Sequence, residues 1–399
     1  MSMSRPLATT QGGALGRDHG LDTLRALAIA LVFAYHYKVF VSAEPTLGWA
    51  SRVGWVGVDL FFVLSGYLIA NQLFAGIRRG QALSLTAFYA RRALRTLPVF
   101  WLVLAAYFLL PSVMGGRTPP PLWRFLTFTQ NFNLQPGTAF SHAWSLCIEE
   151  QFYLVLPLVL VLGLRFGRRR AHGWALLVLM MLVGIASRAV LWMAYGREGV
   201  GQIDGYHPNI YYATLGRFDE FLPGVAVAML KSFHPSHWKR ITRHGQLVFG
   251  LGIAASTAML YAVHGHYYVD GYGYTFFMTA FGYSLIAMAF AVLVVAALSP
   301  GSWLHRLRIP GAFHLALWSY SIYLSHKAVA WVVQGQAKAL GWSSASTLVL
   351  ITIACVVVGA LLYKGVEAPF MAWRQRLFPT SFPGREAQSG EPARSRGVA

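Results

Sequence analysis

Acidic residues are scarce in this chain. Only 14 of its 399 residues are Asp or Glu, and charged residues make up 12% of the total, about half the share of a soluble globular domain. So little charge cannot solvate a soluble protein of this length, and a soluble fold is excluded. Cysteine is scarcer still. Cys147 and Cys355 both fall in apolar runs, with no CxxC and no Cys/His spacing, so neither a disulfide framework nor a metal centre is expected. Also absent are a basic low-complexity run and a basic platform interleaved with aromatics, so the formal charge of +19 does not point to nucleic acid. The opening segment, 1–20, is too polar for the core of a signal peptide and reads as a flexible tail.

What the chain has in quantity is apolar length. Hydrophobic residues account for 56% of it, and runs able to cross a ~30 Å hydrocarbon core recur about ten times. They fall at roughly 21–40, 53–76, 96–114, 144–164, 174–193, 216–230, 246–264, 274–298, 315–334 and 346–366. This pattern predicts an all-α polytopic membrane protein, a bundle of about ten transmembrane helices over 21–366 followed by a polar tail over 367–399. An even number of spans puts both termini on one side. With that side in the cytoplasm, roughly 23 of the 33 Lys and Arg fall in cytoplasmic segments and about 5 in the opposite loops, as the positive-inside rule expects. Arg78-Arg79, Arg91-Arg92-Arg95, Arg168-Arg169-Arg170 and Lys239-Arg240-Arg243 all land together. The net charge is therefore mainly an orientation signal.

Half of the few carboxylates lie where charge is costly. Asp22, Asp59, Glu149, Glu150, Asp219, Glu220 and Glu367 fall within or at the edges of spans, and an ionisable group there faces a partner or a water-filled cavity. The first span, LDTLRALAIALVFAYHYKV (21–39), carries Arg25 and His36. Eleven residues at about 100° each bring the two onto one face, about 16 Å apart along the axis. A neutral imidazole can take a proton from a hydroxyl, and a carboxylate beside it would orient the ring. Glu149 is the candidate acid. Ser145, Glu149 and Tyr153 follow at i, i+4 and i+8 on one helix face, while Glu150 points about 100° away. In FYARRALRTLP (88–98), Arg92 and Arg95 share a face, and two guanidinium forks suit a polyphosphate; as topogenic arginines they would need no ligand. The outer loops 117–143, 197–213 and 266–274 are rich in aromatic, Asn, Gln and Gly residues, which suit a polar, uncharged ligand such as a sugar or simply anchor helix ends at the interface.

Taken together, these stretches resemble the acyltransferase 3 family of integral membrane acyltransferases, which modify extracytoplasmic glycans and related sugars. LDTLRALAIALVFAYHY is similar to the family's opening signature, GVDLFFVLSGYLI to its second helix and FYARRALRTLP to its Arg-x-x-Arg segment. HAWSLCIEEQFYLVLP, GRFDEFLPG, WSYSIYLSH and YKGVEAPF follow in family order, and the likeness runs from about residue 20 to 372. The resemblance implies an O-acyltransferase that moves an acyl group, acetyl by preference, from cytoplasmic acyl-coenzyme A to a hydroxyl of an extracytoplasmic carbohydrate or glycoside. It implies a bacterial inner membrane location with both termini in the cytoplasm.

By the same resemblance His36 is the catalytic histidine and Glu149 its partner acid, while Arg25, Arg92 and Arg95 bind the donor. Trp144, Ser145, Tyr153, Arg217 and Asp219 are assigned to the acceptor side, the last two also as a pair or cavity wall. No tightly bound cofactor is expected. Because many members append an extracytoplasmic hydrolase-like domain, this chain reads as the stand-alone type. One position departs from the family: Lys327 directly follows His326 where many relatives have an aromatic residue, and His326 reads as a second proton group or, slightly favoured, a packing histidine. The rival reading is a proton-coupled transporter or flippase of a sugar-containing substrate, with His36, Glu149 and Asp219 along its path.

Overall fold

The computed structural model describes residues 18–166, 170–196 and 205–382. The expected tail up to residue 17, Arg168 and Arg169, the loop stretch 197–204 and the chain after 382 lie outside the described residues. Within them the fold is all-α apart from one short hairpin, Tyr268–Val269 paired antiparallel with Gly273–Tyr274. Ten helices organise it: α1 (His19–Tyr37), α2 (Gly57–Arg78), α3 (Leu85–Leu109), α4 (Trp144–Phe166) and α5 (Arg170–Tyr195). Then come α6 (Leu222–Phe233), α7 (Gly245–His266), α8 (Tyr283–Ala297), α9 (Ala312–Ala339) and α10 (Ser344–Leu362). We call the end where α1 begins and α2 ends basal, and the other end distal.

Eight helices among the described residues are long and apolar enough to cross a membrane, which makes the chain a polytopic membrane protein. Its inside and outside follow from burial. The span containing α2 is 83% buried and that ending in α8 78%, against 17% for α5 and α7; the first pair forms the centre and the second faces lipid. Two of the expected runs differ from the eight. The run near 216–230 is broken into Thr214–Arg217, a 3-10 turn Phe218–Phe221 and α6. Twelve residues make α6 only about 18 Å long, too short to span alone. The break falls where Arg217, Asp219 and Glu220 must reach partners on other helices. The run near 315–334 is α9, 28 residues long, but His314, Ser319, Ser321, Ser325, His326 and Lys327 make it too polar to pass as a simple span.

Helices α2 and α6 touch backbone to backbone. A Cβ on Gly66 would stand 2.2 Å from the Phe221 carbonyl oxygen, and one on Gly224 would stand 2.1 Å from that of Val63. Small residues permit such approach in membranes. Gly224→Leu is therefore expected to lose folded protein, at a cost beyond the roughly 1–3 kcal/mol of ordinary overpacking, because backbone cannot move aside as a side chain can; detergent-solubilised yield by size-exclusion chromatography measures it.

The expected polar tail from 367 starts as structure. Ala368–Leu377 is helical, Ser381 and Phe382 are buried, and Ser84 N–H donates to Ser381 O at 3.0 Å. Gln72 Nε2 donates to Ser381 Oγ at 3.2 Å, so this segment closes the basal end of the bundle.

Candidate active site

Two layers of polar residues lie one above the other inside the bundle. The basal layer lines a cavity of about 130 Å³. α1 contributes Arg25, α2 Ser65, α3 Arg92 and Arg95, and α4 Ser145, Glu149 and Tyr153. The i, i+4, i+8 spacing does what helix geometry requires and turns the three α4 side chains onto one wall. Glu149 Oε2 accepts from Tyr153 OH at 2.9 Å, and the Arg92 guanidinium lies 4.0 Å over the Tyr153 ring. Arg92 Nε is buried without a hydrogen-bond partner among the described residues. Arg95 is engaged: it pairs with Glu367, whose Oε2 also accepts from Ser321 Oγ at 3.0 Å. Arg374, on the helix after α10, is near enough to Arg91, Arg92 and Arg95 to feel their charge, and its Nε is likewise buried without a partner.

Tyr323 of α9 forms the roof of this cavity. Its hydroxyl donates to His142 O at 2.5 Å and so accepts from Ser145 Oγ at 2.7 Å. Above it stand three histidines. His36 Nδ1 and His326 Nε2 are 2.7 Å apart, with their rings stacked at 4.9 Å and 16°. His142 meets His326 edge-on at 5.1 Å and His36 at 6.3 Å. Lys327 Nζ lies 4.5 Å over Phe40, 3.3 Å from Ser141 Oγ and 3.4 Å from Thr138 O. Phe40 in turn packs 5.1 Å from His36.

The structure thus brings Arg25, Arg92, Arg95, Glu149, Ser145 and Tyr153 to one cavity and sets His36 above it. It does not bring Glu149 to His36. The residue hydrogen-bonded to His36 Nδ1 is His326, and Glu149 bonds Tyr153 instead. Helix rise explains the correction: His142, which does pack beside His36, lies in the 3-10 turn Ser141–Ala143 that leads into α4 and precedes Glu149 by seven residues, about 10 Å along the axis.

Trp144, Arg217 and Asp219 do not line the cavity; Arg217 and Asp219 take instead the other role expected of them, in ion pairs, though not with each other. Trp144 is buried against Phe62 and Tyr211 at 6.1 and 5.0 Å, with the Arg217 guanidinium 5.0 Å over its ring. Arg217 pairs with Asp59 at 3.2 Å and with Glu220. Asp219 takes both arms of Arg188, at 2.5 and 3.0 Å, and Ser284 Oγ at 2.5 Å. All these side chains are fully buried. A guanidinium away from water requires an adjacent carboxylate, and these ion pairs meet that need apart from the cavity.

Reading the sequence alone missed His142, Tyr323, Arg188 and Arg374 as site or framework residues, and underweighted His326. His142 and Tyr323 stand beside motif residues in the chain, but their partners lie 180 or so positions away, beyond the reach of local spacing.

A family model described as an acyltransferase domain matches residues 18–364. A Bacillus subtilis protein named "Putative peptidoglycan O-acetyltransferase" is 29% identical over 380 residues, covering 90% of this chain and 56% of the relative. The peptidoglycan O-acetyltransferase of Listeria monocytogenes is 28% identical over 328 residues, covering 77% of this chain and 48% of the relative. The chain spans about half the length of the curated relatives it matches. No solved structure matches it. With a family match over most of its length, on a polytopic helical bundle, the chain belongs to the acyltransferase 3 family.

Proposed function

We infer that this protein is a membrane O-acetyltransferase that draws its acetyl group from acetyl-coenzyme A at the basal, cytoplasmic end and delivers it to a glycan hydroxyl at the distal end. The observation that carries this reading is the stacking of the two layers: an arginine-lined cavity opens below a histidine that shares a helix face with Arg25. The buried, unpartnered Nε donors of Arg92 and Arg374 suit the phosphates of the donor, since guanidinium hydrogen bonds to phosphate are strong and directional. The pantetheine arm runs past Arg25 and Glu149 toward Tyr323, and brings the thioester below His36. His36 takes the proton of the acceptor hydroxyl, the oxygen attacks the thioester carbonyl, the C–S bond breaks and the coenzyme A thiolate leaves with that proton. Peptidoglycan, named for both relatives, is the first acceptor to test.

Asp219, one of the three groups a proton-coupled transporter would use, is closed in an ion pair with Arg188 and a bond from Ser284, which weighs against that rival, since it needs ionisable groups free along its path. The test is purified protein in nanodiscs with labelled acetyl-coenzyme A and glycan fragments. Label in the glycan is expected; absence of both donor binding and transfer would overturn the reading. Arg92→Ala and Arg374→Ala should each raise the donor KM by about 10- to 100-fold, the loss of one hydrogen bond to a charged group, with kcat nearly unchanged. A rise confined to the acceptor KM would contradict the placement of the donor.

A further inference from the structure

Two of the three histidines, His326 and His142, are held by carbonyl oxygens, and a carbonyl can only accept. His326 Nδ1 lies 2.8 Å from Tyr323 O and 3.2 Å from Ile322 O, both on its own helix one turn back. The proton of His326 therefore sits on Nδ1, which leaves Nε2 with a lone pair. That lone pair faces His36 Nδ1 at 2.7 Å, so His36 must donate from Nδ1, and its own lone pair falls on Nε2. His142 follows the same rule: its Nε2, 3.2 Å from Leu324 O, carries the proton, and its Nδ1 is buried without a partner among the described residues. Lys327 has only donors, and these go to Thr138 O and Ser141 Oγ.

We propose that His326 is the positioning residue for His36: its Nε2 lone pair locks His36 in the Nδ1–H form and so presents Nε2 to the acceptor hydroxyl. This extends the acyl-transfer reading and rests on it for its catalytic consequence. His326 takes the place that sequence reasoning gave to a carboxylate. When His36 Nε2 accepts the hydroxyl proton, the Nδ1–H bond to His326 becomes charge-assisted and shortens, which stabilises the imidazolium as the C–O bond forms. Because the partner is neutral, it holds that imidazolium less firmly than a carboxylate would, and the proton passes on to the departing thiolate. Packing alone would account for a buried histidine, but not for one whose nitrogens are both committed in this order.

The test uses side chains that keep one nitrogen position at a time. Gln places an acceptor near the Nε2 position of histidine, whereas Asn places one near Nδ1. In the full chain in nanodiscs, His326→Leu and His326→Asn should lower kcat by about 10²-fold, the low end for general base catalysis, with the donor KM within about twofold of wild type. His326→Gln should recover to within about tenfold of wild type. Equal loss in folded Gln and Asn variants, or unchanged kcat in the Leu variant, overturns the proposal. Nitrogen-15 spectra of histidine-labelled protein without substrate separate this proposal from the acyl-transfer reading. His36 should appear as the Nδ1–H tautomer in wild type and lose that preference in His326→Leu. The opposite tautomer in wild type overturns the inference whether or not the chain transfers acetyl groups, while the expected tautomer in a protein that transfers nothing overturns only the functional reading.

Discussion

His36→Ala should lower acetyl transfer by about 10²- to 10⁴-fold, the range general base catalysis supplies, while the donor still binds with its wild-type affinity. The two halves of that expectation come from the two layers. Arg25, Arg92 and Arg95 line the basal cavity proposed for the donor, whereas His36 stands above Tyr323, hydrogen-bonded to His326, so removing the imidazole should take away the proton acceptor without touching the phosphates. Isothermal titration with acetyl-coenzyme A, beside single-turnover transfer, separates the effects. A variant that transfers at the wild-type rate would remove His36 from the chemistry; one that loses donor affinity would mean the layers are one site.

Arg217→Leu should fail at folding. The substitution leaves Asp59 and Glu220 in the protein interior without their cation, and breaking a buried pair in this way costs about 3–5 kcal/mol. Arg188→Leu does the same to Asp219, whose two oxygens take three hydrogen bonds from Arg188 and Ser284. Lysine is a poor substitute at either position because one ammonium cannot reproduce the fork that reaches two carboxylates or both oxygens of one. Thermal unfolding in detergent should show a large drop in midpoint for both leucine variants, and whatever folded fraction remains should keep wild-type KM values for donor and acceptor. A stable Arg217→Leu protein with a raised acceptor KM would restore the substrate role that its position in the sequence suggests.

The contrast between His36 and Arg217 marks how far sequence reading reaches. Relations along one helix are legible because 3.6 residues per turn fixes them. Ser145, Glu149 and Tyr153 were expected on one face and do share a wall, and Arg25 and His36 stand in the expected order along α1. Relations between helices are not legible in this way. Glu149 and His326 are both polar residues in apolar helices with nothing local to say which of them reaches His36; the answer depends on the depth at which α4 and α9 sit against α1. The same holds for the intramembrane charges. Their cost shows that Arg217 and Asp219 need partners, but pairing across α2, α5 and the broken segment before α6 is a product of packing. Of the two roles open for Arg217 and Asp219, acceptor contact or an ion pair, the structure gives the ion pairs.

Helix α9 has a further consequence, for how this protein enters its membrane. It carries the roof of the cavity and the positioning histidine, yet it is not among the eight helices that are long and apolar enough to cross a membrane. A lysine near the middle of a span alone costs about 2.5–3.5 kcal/mol during integration, and α9 adds two histidines and several serines to that charge. It cannot wait in lipid for its neighbours. α1 and α10, which pack along it, have to shield its polar stripe as it leaves the translocon, although α1 was made some 300 residues earlier. Biogenesis and function therefore select on the same surface: α1 must stay available until α9 arrives, and the interface that assembles the histidine layer is also the one that lets α9 remain in the bilayer.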